Sequence, residues 1–225
     1  MLFLLRITLL FYFLAVITSL GNLYFRRQGL RNATPLLVLM GFLVHLTAMV
    51  GVGLSHGELP IRSLDQTLSF LCGSAILVYL IGYYRHRLEI LNLVVPSLVF
   101  ILMIIAILLP EGTLAVSEGL QNPLQQFHIV VAILGVSLLF LTFSTSLLYL
   151  ILDQGLKAKR PLQFIYRLPS LEKCDRLNFQ SLTFGFVLLT IGLLTGAVSN
   201  AGFAESGFPW KREGLAILSW AIFGV

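Results

Sequence analysis

Gln125–Leu152, QQFHIVVAILGVSLLFLTFSTSLLYLIL, decides the fold: one histidine near its start, then a bilayer's thickness without a charge. An apolar run of this length reads as a transmembrane helix before anything else. As a helix its 28 residues would reach roughly 40 Å, against ~30 Å for the hydrocarbon core. One end must stand out among the headgroups, and His128 lies one turn from an end. An imidazole there can meet water, a metal or a cofactor without full burial.

The rest of the chain follows the same pattern. It is 225 residues long, 57% hydrophobic and only 11% charged. Soluble domains carry about 25% charged residues, so the composition predicts an all-α polytopic transmembrane bundle, a single integral membrane domain. Apolar windows mark six full spans, about 2–25, 35–54, 66–84, 91–109, 125–152 and 179–200. Pro35 should open the second, where its missing N–H costs nothing. A truncated seventh span, 214–225, would reach only about 18 Å, too short to cross.

The net charge of +5 follows topology and is no nucleic-acid signal. Eleven of the 15 Lys and Arg fall in alternate loops: Arg26, Arg27 and Arg31; Arg85 and Arg87; then six between Lys157 and Arg176. The positive-inside rule places these loops in the cytoplasm and the N-terminus outside, in a cell (inner) membrane. The first apolar segment is longer than a signal peptide's core and reads as a retained helix. Cys72 and Cys174 fall on opposite sides, which excludes a disulfide between them. No C-x-x-C-H haem-attachment motif occurs.

Chemistry-bearing residues are few. His45 sits near mid-membrane, where an ionisable group is costly; it is either a neutral histidine bonded to a neighbouring helix or a ligand. His56 lies in a loop with Glu58, Arg62 and Asp65, and solvated loop charge is the plain alternative to a binding role there. His86 belongs to an inner-face basic anchor. Trp210, with Phe203 and Phe208, is either an interfacial aromatic or a flat surface for a planar ligand. Thr142, Ser144, Thr145 and Ser146, and the one-faced stripe Gly185, Gly192 and Gly196, are expected to mediate helix contacts. No phosphate-binding loop, nucleophile elbow, H-E-x-x-H or intramembrane carboxylate pair is present. By topology His56, His128 and Trp210 all emerge on the outer face, with His45 below them. Imidazoles and aromatics around an apolar bundle suit haem, whose iron accepts a neutral imidazole.

From Asn122, NPLQQFHIVVAILGVSLLFLTFSTSLLYLILDQGLKAKR and then RLPSLEKCDRLNFQSLTFGFVLLTIGLLTGA resemble the cytochrome c assembly family of haem-handling membrane proteins, the CcsA, CcmC and HemX types. The features shared are the histidine entering a long helix, the Leu168-Pro169-Ser170-Leu171-Glu172 and Asp175-Arg176-Leu177 segments, and the Gly185…Gly196 helix. The resemblance implies haem b held on the outer face, with His128 as an axial ligand to the iron; the second axial ligand would have to come from His56 or from a residue beyond Val225, and His45 stays a candidate by its depth alone. It implies an assembly factor rather than an enzyme, with an apocytochrome c or an assembly protein as partner. An iron-bound His128 should donate its ring N–H to a carbonyl or carboxylate. The family's Trp-rich loop corresponds to Phe203–Glu213, but only Trp210 remains, and Lys211-Arg212-Glu213 stand where Trp-Asp-Pro-Lys is expected. That departure points to the HemX-like branch. It keeps a second role open, a membrane regulator or scaffold that binds a cytoplasmic haem-biosynthesis enzyme through the basic Asp153–Asn178 loop.

Overall fold

A computed structural model describes residues 2–25, 27–57, 59–86, 91–110, 122–157, 171–200 and 210–224. Every regular element among them is an α-helix: α1 (Leu2–Phe25), α2 (Gln28–His56), α3 (Leu64–His86), α4 (Leu91–Leu108), α5 (Pro123–Lys157), α6 (Leu171–Asn200) and α7 (Trp210–Gly224). The first six are long and apolar enough to cross a membrane, which makes this a multi-pass membrane protein. The seventh, 15 residues, is shorter than a span.

The helices form two groups joined through α3. Helices α1 and α2 pair closely, α4 packs on α1 and α3, and α5 and α6 form the tightest pair. α3 touches α2, α4, α5 and α6. Over half of its apolar window, 56%, is buried, against 28–39% in the other spans, so α3 is the inner helix and the rest face lipid on one side. Small residues permit this, since Gly73, Ser74 and Ala75 are all buried on α3. Across the α3–α4 contact the Tyr79 hydroxyl donates to Asn92 Oδ1. Both cysteines are free and buried.

Two helices begin earlier than hydropathy alone suggests. α2 starts at Gln28, not at Pro35, which lies within it and forgoes one helix bond. The turns before Pro35 are secured from outside: Thr34 Oγ1 lies 3.0 Å from Thr18 Oγ1 of α1 and donates to Leu30 O at 3.1 Å. α6 starts at Leu171, eight residues before the apolar window, because its first turns are amphipathic. Cys174, Leu177 and Ser181 are buried there, while Glu172, Lys173, Asp175 and Arg176 are exposed. α5 likewise runs on to Lys157, whose Nζ donates to Asp153 Oδ2 at 2.7 Å, one turn back. Much of the hydrophilic Asp153–Asn178 stretch is therefore helix, and 158–170 lies outside the described residues.

The α5–α6 seam rests on residues without bulk. A Cβ on Gly135 would stand 3.0 Å from Leu189 N and 3.2 Å from Gly185 O. One on Gly185 would meet Leu138 Cβ at 3.1 Å, and one on Gly192 would meet Ala132 Cα at 3.3 Å. Towards the other end Thr142 and Ser181 hydroxyls lie 2.9 Å apart, and Thr145 and Ser146 both donate to Asn178 Oδ1, at 3.1 and 3.0 Å. The hydroxyl run and the glycine stripe meet across one interface, as their spacing predicts. Ser144 is the exception, bonding back to Phe140 O within its own helix. Interhelical bonds of this kind contribute about 0.6 kcal/mol each in lipid, so close packing carries most of the contact.

Gly135→Ala should therefore lower the melting temperature in detergent, by an amount equivalent to about 1–3 kcal/mol, because backbone must move. Gly29→Ala, where an added Cβ meets nothing within 4 Å, should be neutral or slightly stabilising. Equal effects of the two would mean that the seam is loose.

Candidate functional site

His128 lies in the second turn of α5 and leans on α6. Its Nδ1 is 2.6 Å from Gly192 O. A carbonyl oxygen can only accept, so Nδ1 carries the hydrogen, and in the neutral ring Nε2 is left with its lone pair. Nε2 has no hydrogen-bond partner among the described residues. Thr195 Oγ1 lies 3.0 Å from the same carbonyl and 2.8 Å from Ile191 O, the two acceptors sharing its one hydrogen. Gly196, one turn on, makes room for the ring: a Cβ there would stand 2.6 Å from His128 Cε1 and 3.1 Å from Nε2. The glycine stripe thus seats the histidine as well as packing the helices. The ring is half-buried, close to an end of the bundle, as expected of a group at a helix mouth.

A second part of the chain arrives beside it. Ile61, in the connection between α2 and α3, is 1% exposed and clusters with Ile133, Ile129, Leu59, Phe70 and Leu71. Ile129 directly follows His128, so the connection folds onto the opening turns of α5. His56 ends α2 three residues before Leu59; its side chain lies outside the described residues. Trp210 opens α7, and its side chain is likewise outside them, as are residues 201–209 of the aromatic loop. The position of α7 is fixed lower down. Trp220 stacks on Phe186 with ring centroids 5.6 Å apart and 18° between planes, and its Nε1 donates to Thr190 Oγ1 at 2.9 Å. Trp210 starts the helix ten residues earlier, about 15 Å nearer the end where His128 sits. Helix-start Trp210, the Leu59–Ile61 connection and His128 accordingly share one end of the bundle.

His45 has a different setting. It is fully buried, with Nε2 2.9 Å from Ser69 Oγ and Nδ1 3.4 Å from Tyr12 Oη. Its ring meets Tyr12 edge-on, and Gly73 leaves space beside it. Each ring nitrogen already has a partner, on α1 or α3. His45 and His128 share none, and the fold does not bring them together. Among the described residues no three His, Cys, Asp or Glu side chains are grouped to hold a metal ion.

Comparison with known proteins concerns the part that carries this site. Residues 61–225 match the family model described as Cytochrome C assembly protein. The chain is 24% identical over 201 residues to a cytochrome c biogenesis protein CcsA of Guillardia theta, covering 80% of this chain and 67% of that protein. It is 25% identical over 197 residues to a protein HemX of Brevibacillus brevis, covering 87% and 70%. With a CcsA of Prochlorococcus marinus (strain MIT 9215) it shares 25% over 246 residues, covering 96% and 77%. No solved structure matches.

The two histidines should respond differently to removal. His45→Phe strands the Tyr12 and Ser69 hydroxyls in the interior and should cost about 1–3 kcal/mol of stability. His128→Ala, at a half-buried helix end, should cost less than half of that. Thermal melts of the two variants in one detergent check the order, and the reverse order would contradict these partner assignments.

Proposed function

The chain belongs to the cytochrome c assembly protein family, and from that membership we propose that it handles haem in cytochrome c biogenesis, presenting haem b at the outer membrane face to an apocytochrome c or an assembly partner. The observation that supports this reading is the state of His128. Its Nδ1–H is committed to the Gly192 carbonyl, so the ring orientation and tautomer are set before any ligand arrives. What remains is an Nε2 lone pair, the form of imidazole that haem iron takes axially. Bound haem would supply the iron porphyrin that an apocytochrome must acquire. The chain's own part is to hold, orient and release it, which is presentation and not turnover.

Each residue then has a role. His128 ligates. In this reading Trp210, which starts α7 at the same end, would offer a flat surface, and His56, which closes α2, would supply a second imidazole. His45 would have to give up Ser69 or Tyr12 to reach iron, so it ranks below them. The distribution of Lys and Arg supports the outward placement and an N-terminus outside.

A second reading keeps the family and moves the partner. Lys211-Arg212-Glu213 replace the expected Trp-rich core, and the chain is also similar to a protein HemX. A regulator or scaffold would meet a cytoplasmic haem-biosynthesis enzyme at the inner ends of α5 and α6, where Lys157, Lys173 and Arg176 are exposed.

Visible spectra of the detergent-purified protein, oxidised and reduced, separate the two. We expect a Soret band of a histidine-ligated haem, lost in His128→Ala. Gly196→Ala, which must displace the ring, should weaken haem retention roughly 10–100-fold, as disturbed support of a ligand does. A folded protein that shows no band even with added haem would leave the second reading. An unchanged band in His128→Ala would overturn the assignment of the ligand.

A further inference from the structure

A cavity of about 450 Å³ opens between α1, α2, α3 and α4 at the end of the bundle that carries His128. It is separate from the histidine, because none of its lining residues belongs to α5 or α6. Leu5 and Ile107 are among its apolar walls, and Thr47, Ser55, Asp65 and Gln66 supply its polar groups. That volume and mixture suit the polar end of an amphipathic small molecule.

The polar groups are biased towards accepting. Thr47 Oγ1 donates to Val44 O at 2.7 Å, and Ser55 Oγ to Val52 O at 2.9 Å, so both hydroxyl hydrogens are committed within α2 and the Thr47 oxygen keeps its lone pairs. Gln66 Oε1 takes the Arg62 backbone N–H at 3.0 Å and keeps a second lone pair, and its Nε2 brings the amide's two N–H donors. Asp65 Oδ1 is buried and has no hydrogen-bond partner. Asp65 also makes no ion pair among the described residues. A buried carboxylate oxygen without a donor is costly, and the complementary head is a cation rich in N–H.

The opening lies along α2, a helix long and apolar enough to cross a membrane. Thr47, Gly51 and Ser55 are exposed along α2, and a Cβ on Gly51 would meet nothing within 4 Å. An occupant can enter sideways from the bilayer with its tail left among the acyl chains. We propose that this cavity binds the headgroup of an aminophospholipid, with Asp65 taking the primary ammonium.

The test is native mass spectrometry of the full chain, purified in detergent with equal phosphatidylethanolamine, phosphatidylcholine and phosphatidylglycerol. The ethanolamine lipid should be retained roughly tenfold over the choline lipid, whose quaternary ammonium cannot donate. Asp65→Asn should erase that preference. Gly51→Leu, whose Cβ would meet nothing within 4 Å, should reduce ethanolamine-lipid retention while leaving the melting temperature unchanged or higher, so loss of fold does not confuse the result. Equal retention of the three lipids, a preference for the anionic one, or a preference that survives Asp65→Asn would each overturn the proposal.

Discussion

The contact on which the rest depends is the bulk-free seam between α5 and α6. Lipid offers no hydrophobic driving force for helix pairing, so two apolar helices stay together only by approaching closely enough for many weak contacts. Gly135, Gly185, Gly192 and Gly196 supply that approach along the seam, and Thr142, Thr145, Ser146, Ser181 and Asn178 finish it with hydrogen bonds. The same closeness brings the Gly192 carbonyl within 2.6 Å of a ring on the opposite helix. A seam wider by a methyl group would separate His128 from its carbonyl. Packing and the state of the imidazole are one constraint here.

How far the sequence discloses this depends on whether a feature is local or between helices. Six spans follow from hydropathy because lipid imposes its length on each of them alone. The glycine stripe of α6 shows in its seven- and four-residue spacing, and a carbonyl or carboxylate partner for His128 can be expected by chemical class. Gly135 is not legible, since one glycine in an apolar helix has no pattern, and its importance comes from Leu189 on the other helix. The early start of α6 is hidden for a related reason. Glu172, Lys173, Asp175 and Arg176 lower the hydropathy, while Cys174, Leu177 and Ser181, the residues that make it a packed helix, are diluted among them. His45 shows the same limit: its depth marks it as notable, but Tyr12 and Ser69 become its partners only through the pairing of α1 and α3 with α2.

α3 divides the functional end of the molecule. Asp65 and Gln66 line the cavity among α1, α2 and α4, whereas Phe70 and Leu71 join the cluster that holds Ile61 against Ile129 and Ile133 of α5. One helix therefore presents an acceptor-lined face to one group and an apolar face to the other. α3 is also the most buried span, with 56% of its apolar window covered, while Leu77, Ile81 and Tyr84 remain exposed.

The two faces are nevertheless joined at the first turn. The Arg62 N–H donates to Gln66 Oε1, and Ile61, its neighbour, is seated against α5 directly beyond His128. Thr67 strengthens the same corner, giving its N–H and its hydroxyl to Ser63 O at 2.9 Å each. The connection that covers the opening turns of α5 is thus anchored on the turn of α3 that lines the cavity. A displacement of Gln66 would be passed through Arg62 to Ile61, and from there to the helix that carries His128. Rigid packing transmits such shifts instead of absorbing them, so the placement of the histidine depends on both helix groups and not on the α5–α6 pair alone.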